Sequence, residues 1–126
     1  MIRIVRLGSP RAPDEGLRIG TVRRPPRGVP KSEYASRDFY DVWFPQLAPS
    51  EALLKQALAA DSEAQWRKFV RRYRAEMREP EARRTLDLLA ALSQQTDFSV
   101  GCYCADESRC HRSILRDLLS EHGASL

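Results

Sequence analysis

The chain has 126 residues, enough for one compact domain that can bury a core without disulfide or metal staples. Hydrophobic residues make up 42% and charged residues of both signs 30%, a balance that excludes wholesale disorder, and no apolar run approaches the roughly 20 residues that span a bilayer. The formal net charge is +4, and the three cysteines, odd in number and clustered, exclude the disulfide framework of a small secreted domain.

Met1 to Leu7 alternates apolar and charged residues over most of its length, which predicts a strand. Gly8-Ser9-Pro10 ends it, and residues 10–16 read as a loop. Leu17-Arg18-Ile19-Gly20-Thr21-Val22 is a second, shorter strand. It runs into Arg23-Arg24-Pro25-Pro26-Arg27-Gly28-Val29-Pro30, where three prolines and a glycine forbid regular structure. Residues 1–37 hold nine Lys/Arg against Asp14, Glu15 and Glu33, a local excess of six positive charges. Such a segment suits an anionic ligand, a nucleotide or a nucleic acid, although an arginine-rich solvated surface gives the same count. From Ser32 to Pro49 the pattern is irregular and aromatic (Tyr34, Phe39, Tyr40, Trp43, Phe44), read as a loop or short helix packed on the core.

Helices follow. Ser50 is a candidate N-cap for one that carries Leu53, Leu54, Ala57 and Leu58 on a single face. Asp61 or Ser62 opens a longer one with Trp66, Phe69, Val70, Tyr73 and Met77 at helical spacing, a core stripe. Its outer face carries Arg67, Lys68, Arg71, Arg72, Arg74 and Arg78. Pro80 suits the first turn of a third helix with Leu86, Leu89 and Leu92. Residues 98–104 form a third strand, and a last helix bears Ile114, Leu115, Leu118 and Leu119, with Gly123 as its stop. His122 falls at that helix end, where a cation suits the dipole. With no internal repeat or linker, residues 1–126 read as a single-domain, Rossmann-like α/β fold, a small and mostly parallel sheet covered by helices. The N-terminus carries no apolar signal segment, and the cytoplasm is the expected location, with no membrane partner.

All three cysteines and one of the two histidines lie within Cys102-Tyr103-Cys104-Ala105-Asp106-Glu107-Ser108-Arg109-Cys110-His111-Arg112-Ser113. Alternation puts Cys102 and Cys104 on one side of the strand, and Cys110 to Ser113 fall in the first turn of the last helix. In open α/β sheets the strand carboxyl ends meet helix N-termini at the usual ligand crevice, where free N–H groups and the helix dipole attract anions. Three chemistries compete. Cys110 is a thiolate nucleophile, its pKa lowered by the helix N-terminus, His111 and Arg112. Alternatively Cys102, Cys104, Cys110 and His111 bind zinc or an iron–sulfur cluster, although C-x-C departs from the usual C-x-x-C knuckle. In the third reading the sulfurs fill space, as buried cysteines often do, and Arg112 or Ser113 carries anion binding.

These residues carry a resemblance. Ile2 to Arg6, Gly16-Leu17-Arg18-Ile19-Gly20-Thr21-Val22-Arg23-Arg24-Pro25-Pro26-Arg27-Gly28, and Trp66 to Met77 resemble the opening strand, the G-x-R-V-L-V-D-R-L-W-P-R-G signature and the W-x-x-F-x-x-x-Y-x-x-E-L helix of the YeaO-like branch of the DUF488 family. Cys102, Cys104, Asp106, Cys110, His111 and Arg112 match the wider family's C-x-[E/C]-x-D-…-C-H-R unit. The resemblance implies a fold and a crevice, not a reaction. The family aspartate before the strand-end arginine is missing here (Thr21-Val22-Arg23), so Asp106 or Glu107 would have to replace any role it has. YeaO-like members that lack Cys-His-Arg argue against an obligatory structural metal.

The reading that results is a crevice for a small anionic ligand, phosphorylated or nucleotide-like. Cys110 is its nucleophile or redox thiol and His111 its base, while Arg6, Arg23, Arg24, Arg27, Cys104, Arg112 and Ser113 bind ligand. No cofactor or metal is assigned. The alternatives are a basic nucleic-acid-binding module without catalysis, and a zinc or iron site at the cysteines.

Overall fold

The computed structural model describes all residues 1–126. Strands β1 (Ile2–Arg6), β2 (Leu17–Gly20), β3 (Val42–Trp43) and β4 (Phe98–Cys102) form one sheet in the order β1-β4-β2-β3, and every neighbouring pair is parallel. The central strand β4 is buried along its whole length and pairs on both sides, Val100 with Ile4 and with Ile19. Its apolar run without alternation is what burial on two faces requires.

Four helices complete the fold: α1 (Glu51–Ala59), α2 (Glu63–Met77), α3 (Pro80–Ser93) and α4 (His111–Glu121). Ser50 Oγ accepts from the Leu53 N–H at 3.3 Å, and Ser62 Oγ from the Gln65 N–H at 3.2 Å, so serine caps set where α1 and α2 begin. Pro80 stands in the first turn of α3, where its missing N–H costs nothing. Leu53, Phe69, Tyr73, Met77, Leu86, Leu89, Ile114, Leu115, Leu118 and Leu119 join Ile2, Ile19, Phe98 and Val100 in one buried cluster. The helices therefore cover one face of the sheet. None of them is long and apolar enough to cross a membrane.

The small parallel sheet and its helices are the expected Rossmann-like α/β fold, and the other face of the sheet is covered by irregular chain. Arg18 alternates away from Ile19 and reaches the carbonyls of Ser9 (2.8 Å) and Asp38 (2.7 Å), and a Cβ on Gly20 would meet the Tyr40 ring. The irregular segments around residues 8–16 and 34–41 thus seal this side. The aromatic stretch 32–49 also supplies β3, and 3-10 turns stand at Lys31–Glu33 and Pro45–Leu47. Two residues are too few to show alternation, which is why β3 is invisible to periodicity. β2 ends at Gly20 and β4 at Cys102, each two residues before the predicted end. The Leu7 N–H to Cys102 carbonyl bond (2.8 Å) and the Thr21 N–H to Gly101 carbonyl bond (3.1 Å) are the last rungs.

Gly101 allows this closure. A Cβ there would sit 2.7 Å from the Val5 carbonyl oxygen and 2.7 Å from Leu7 Cδ2, so only glycine lets the β1 end approach β4 so closely. The basic N-terminal segment is also largely consumed by the fold. Arg3 pairs with Asp14 and Arg11 with Asp41, Arg18 pairs with Glu15, and Arg24 pairs with Glu51.

Candidate functional site

Beyond the carboxyl ends of β2 and β4, a cleft of about 540 Å³ opens against the N-terminus of α4. One wall is the proline-rich segment Val22 to Arg27. The other is α1 through Leu54, Ala57 and Leu58, and Phe69 lines the cleft from α2. Cys102, Cys104, Cys110 and His111 gather at one end, with Tyr103, Phe39 and Arg109 beside them. The walls are predominantly apolar, and no carboxylate lines the cleft. This placement, at strand ends in an open parallel sheet, is the one such folds use for ligands.

Local sequence explains how each part is held. Trp43 donates its indole N–H to the Val22 carbonyl at 2.8 Å, and Tyr103 donates its hydroxyl to the Arg24 carbonyl at 2.9 Å, so the irregular proline wall is tied at two points. Arg23 gives its guanidinium to the carbonyls of Pro49 (2.9 Å), Pro45 (3.2 Å) and Ala48 (3.2 Å). It lines the cleft but is spent on fastening the start of α1 to the wall. Arg24 pairs with Glu51 at the rim, whereas Arg27 is exposed and has no partner. Arg109 pairs with Glu63 and lies over the Trp66 ring, 5.5 Å from its centroid.

The thiols converge because β4 ends where α4 begins. Cys102 Sγ and Cys104 Sγ are 3.7 Å apart, and Cys110 Sγ lies 3.8 Å from His111 Nδ1. His111 Nε2 is 2.7 Å from the Thr21 carbonyl oxygen. A carbonyl can only accept, so Nε2 carries the proton and Nδ1 presents its lone pair to the cysteines. Burial holds the imidazole neutral, its pKa lowered to about 4, and the Tyr73 ring packs edge-on against it with centroids 5.6 Å apart.

The three thiols differ in environment. Hydrogen bonds from the Cys102 and Cys110 thiols, and then the charge of Arg112, hold Cys104 well below the usual thiol range. The same bonds, seen from the donors, push Cys110 up together with its burial, and raise Cys102 to about 11. The expected nucleophile, Cys110, is thus a buried proton donor, while Cys104 is half-buried and faces the cleft. The reason is tertiary. Cys110 is the N-cap residue of α4 but is packed among Leu7, Val22, Tyr40 and Cys102, and that burial disfavours its charged form.

Arg112 lies buried beneath the cleft instead of lining it, giving one terminal N–H to the Cys104 carbonyl at 2.6 Å and leaving its Nε–H without a partner. Ser113 Oγ donates to the Cys110 carbonyl at 2.9 Å and does not face the cleft. Arg6 lies outside as well, its Nε donating to the Tyr103 carbonyl at 3.2 Å. Asp106 caps the Ser108 N–H at 3.0 Å and Glu107 pairs with Arg116 at 2.6 Å, so neither takes the place of the missing family aspartate in the cleft. Tyr103, Phe39, Arg109 and the Thr21 carbonyl were not expected as parts of the site. Only Tyr103 and Arg109, inside the cysteine-rich stretch, carried any sequence signal.

A buried guanidinium without a carboxylate is costly, and the hydrogen bond Arg112 makes goes to the neutral Cys104 carbonyl. Arg112→Met should therefore leave the fold as stable as before or more stable by about 1 kcal/mol, measured by urea unfolding. A loss of more than about 2 kcal/mol would show that Arg112 is mainly structural.

Compared with protein families, the chain matches over residues 2–123 the model described as "Active DUF488-N3 subclade" (DUF488-N3a). Neither the curated proteins nor the solved structures gave a significant match.

Proposed function

The chain belongs to the DUF488 family, and on that premise we propose that it is an enzyme acting on a small anionic ligand with a flat apolar body, of the nucleotide type, through Cys104. The observation that carries this reading is the place of Cys104: a half-buried thiol at the end of an apolar cleft, with Arg27 unpaired at the rim and Arg112 buried behind it. The description of the matched subclade as active agrees with a working site.

In this reading the apolar body lies between Pro25, Pro26 and Phe39 on one side and Leu54 and Leu58 on the other, and Arg24 and Arg27 hold the anion. Cys104 Sγ, as the thiolate, forms a bond to an electrophilic carbon or phosphorus of the ligand. The leaving group departs with the bonding pair and takes a proton from water, and the hydroxide so formed attacks the adduct and displaces Cys104 Sγ with its bonding pair, which restores the thiolate. Cys110 and His111 work from behind, Cys110 giving its one thiol proton to Cys104 and His111 Nδ1 lying 3.8 Å from Cys110 Sγ.

Titration with a panel of nucleoside monophosphates, coupled to iodoacetamide labelling, tests this. A nucleotide that binds should slow alkylation of Cys104, and Arg24→Ala/Arg27→Ala should weaken it about tenfold or more, the loss expected for a charge-assisted hydrogen bond. If no nucleotide alters Cys104 labelling, the reading fails. A second reading, binding of nucleic acid, draws on α2, where Arg67, Lys68, Arg71, Arg72 and Arg78 are exposed and unpaired. A short oligonucleotide in the same titration separates the two, because affinity from that face should fall steeply as salt rises.

A further inference from the structure

Beyond the cleft's ligand, the cysteine cluster has a chemistry of its own. Cys102 Sγ, Cys110 Sγ and a ring nitrogen of His111 lie within 4.8 Å of one another, and all three residues are buried. Cys104 Sγ stands 3.7 Å from Cys102 Sγ and Cys110 Sγ 3.8 Å from His111 Nδ1. A tetrahedral zinc with bonds of about 2.3 Å to sulfur and 2.0 Å to nitrogen has edges of about 3.8 Å between sulfurs and 3.5 Å from sulfur to nitrogen. We infer that Cys102, Cys110 and Nδ1 of His111 form a binding site for a soft divalent cation, zinc foremost, with Cys104, which lies outside that trio but 3.7 Å from Cys102 Sγ, closing on it as the fourth ligand.

Two features independent of those distances point the same way. The Thr21 carbonyl takes the Nε2 proton of His111 at 2.7 Å, so the nitrogen facing the sulfurs is the one with a free lone pair. A carbonyl on the far nitrogen is the support that metal-bound imidazoles usually have. The second feature is charge. Three thiolates around a divalent cation leave one net negative charge, and the adjacent Arg112 is a buried guanidinium with no carboxylate and an unpaired Nε–H. The two would neutralise each other.

The C-x-C spacing, which argued against a metal in the sequence, loses its force here. Cys102 lies at the end of β4 and Cys104 just past it, where the chain turns, and the loop 105–109 returns Cys110 and His111 to the same point. All-sulfur and imidazole donors without a carboxylate favour zinc over calcium or magnesium. The inference stands on the cluster alone, whatever occupies the cleft. With a metal bound, Cys110 has no proton to give Cys104, and the metal takes over the task of keeping the Cys104 thiolate charged at neutral pH.

The test is a cobalt(II) titration of reduced, chelator-treated protein, followed by zinc competition and elemental analysis. Expected are one metal per chain, thiolate-to-cobalt charge-transfer bands with the visible bands of a tetrahedral centre, and displacement of cobalt by zinc. Cys104→Ser, at the half-buried position, should keep the fold by circular dichroism, shift the visible bands and weaken zinc at least tenfold. His111→Gln serves as a second ligand variant. No thiolate charge-transfer band on the wild-type chain overturns the inference, as does a Cys104→Ser protein with unchanged bands and affinity. Nucleotide binding plays no part in this readout, so the cleft reading and the metal site can fail separately.

Discussion

Glu15→Gln should cost about 3–5 kcal/mol of unfolding free energy, the range seen when one partner of a buried ion pair is removed. Arg18 is fully buried, with Nε 2.7 Å from Glu15 Oε2 and its second terminal nitrogen 2.8 Å from Oε1. Its remaining terminal nitrogen donates to Ser9 and Asp38 carbonyls. Glutamine keeps the shape but strands a guanidinium where no water can compensate it. Urea unfolding at neutral pH, with the m-value unchanged, measures the loss. A cost below about 1 kcal/mol would mean that Arg18 finds another partner or water on relaxation.

The same pair gives the protein an acid limb. The hydrogen bonds from Arg18 hold the Glu15 carboxyl below the usual carboxylate range, against the opposing effect of burial. A carboxylate with a lowered folded-state pKa contributes stability that is fully present above its unfolded value. That contribution is lost as pH falls through the folded value. Wild-type stability should therefore decline on acidification below about pH 4.5, and Glu15→Gln should show a shallower decline because that proton uptake is gone. Equal slopes in the two proteins would remove Glu15 as the source.

Phe69→Ala is the second large effect, with an expected loss of about 3–5 kcal/mol. Phe69 is 1% exposed and stacks between Trp66 and Tyr73, with ring centroids 4.9 and 6.0 Å away. Alanine removes both stacking partners at once and leaves a cavity bounded by α2, which cannot move inward without disturbing Tyr73 and its 2.6 Å bond to the Leu47 carbonyl. Phe69 also lines the cleft, so the truncation should enlarge it and weaken any ligand that packs there. Phe69→Leu, which fills most of the volume, should recover at least half of the stability. Comparing the two by thermal unfolding decides whether volume or aromatic stacking dominates.

Residues whose role depends on near neighbours were legible from the chain. Ser50 and Ser62 cap helices because their hydroxyls reach an N–H three residues on. Phe69, Tyr73 and Met77 are core because helical spacing puts them on one face, and they pack as that spacing predicts. β1, β2 and β4 were visible for the same reason, as was the parallel α/β class, since strands and helices follow one another in the required pattern. The cysteines, His111 and Arg112 stood out as a group by composition alone. The short strand β3 did not, because two residues cannot carry a period.

What tertiary structure decided is which charges and thiols are free to act. Arg18 and Arg23 looked like parts of a basic patch, yet one is locked to Glu15 and the other to three carbonyls up to 26 residues away. Arg112 looked like a ligand-binding cation of the crevice and is buried. Cys110 looked like the activated thiol and is buried among Leu7 and Val22, while Cys104 is the half-buried thiol that faces the cleft. A backbone pattern fixes where a side chain begins. Its solvation, charge and proton depend on groups that arrive from distant parts of the chain, and only the closed fold brings them together.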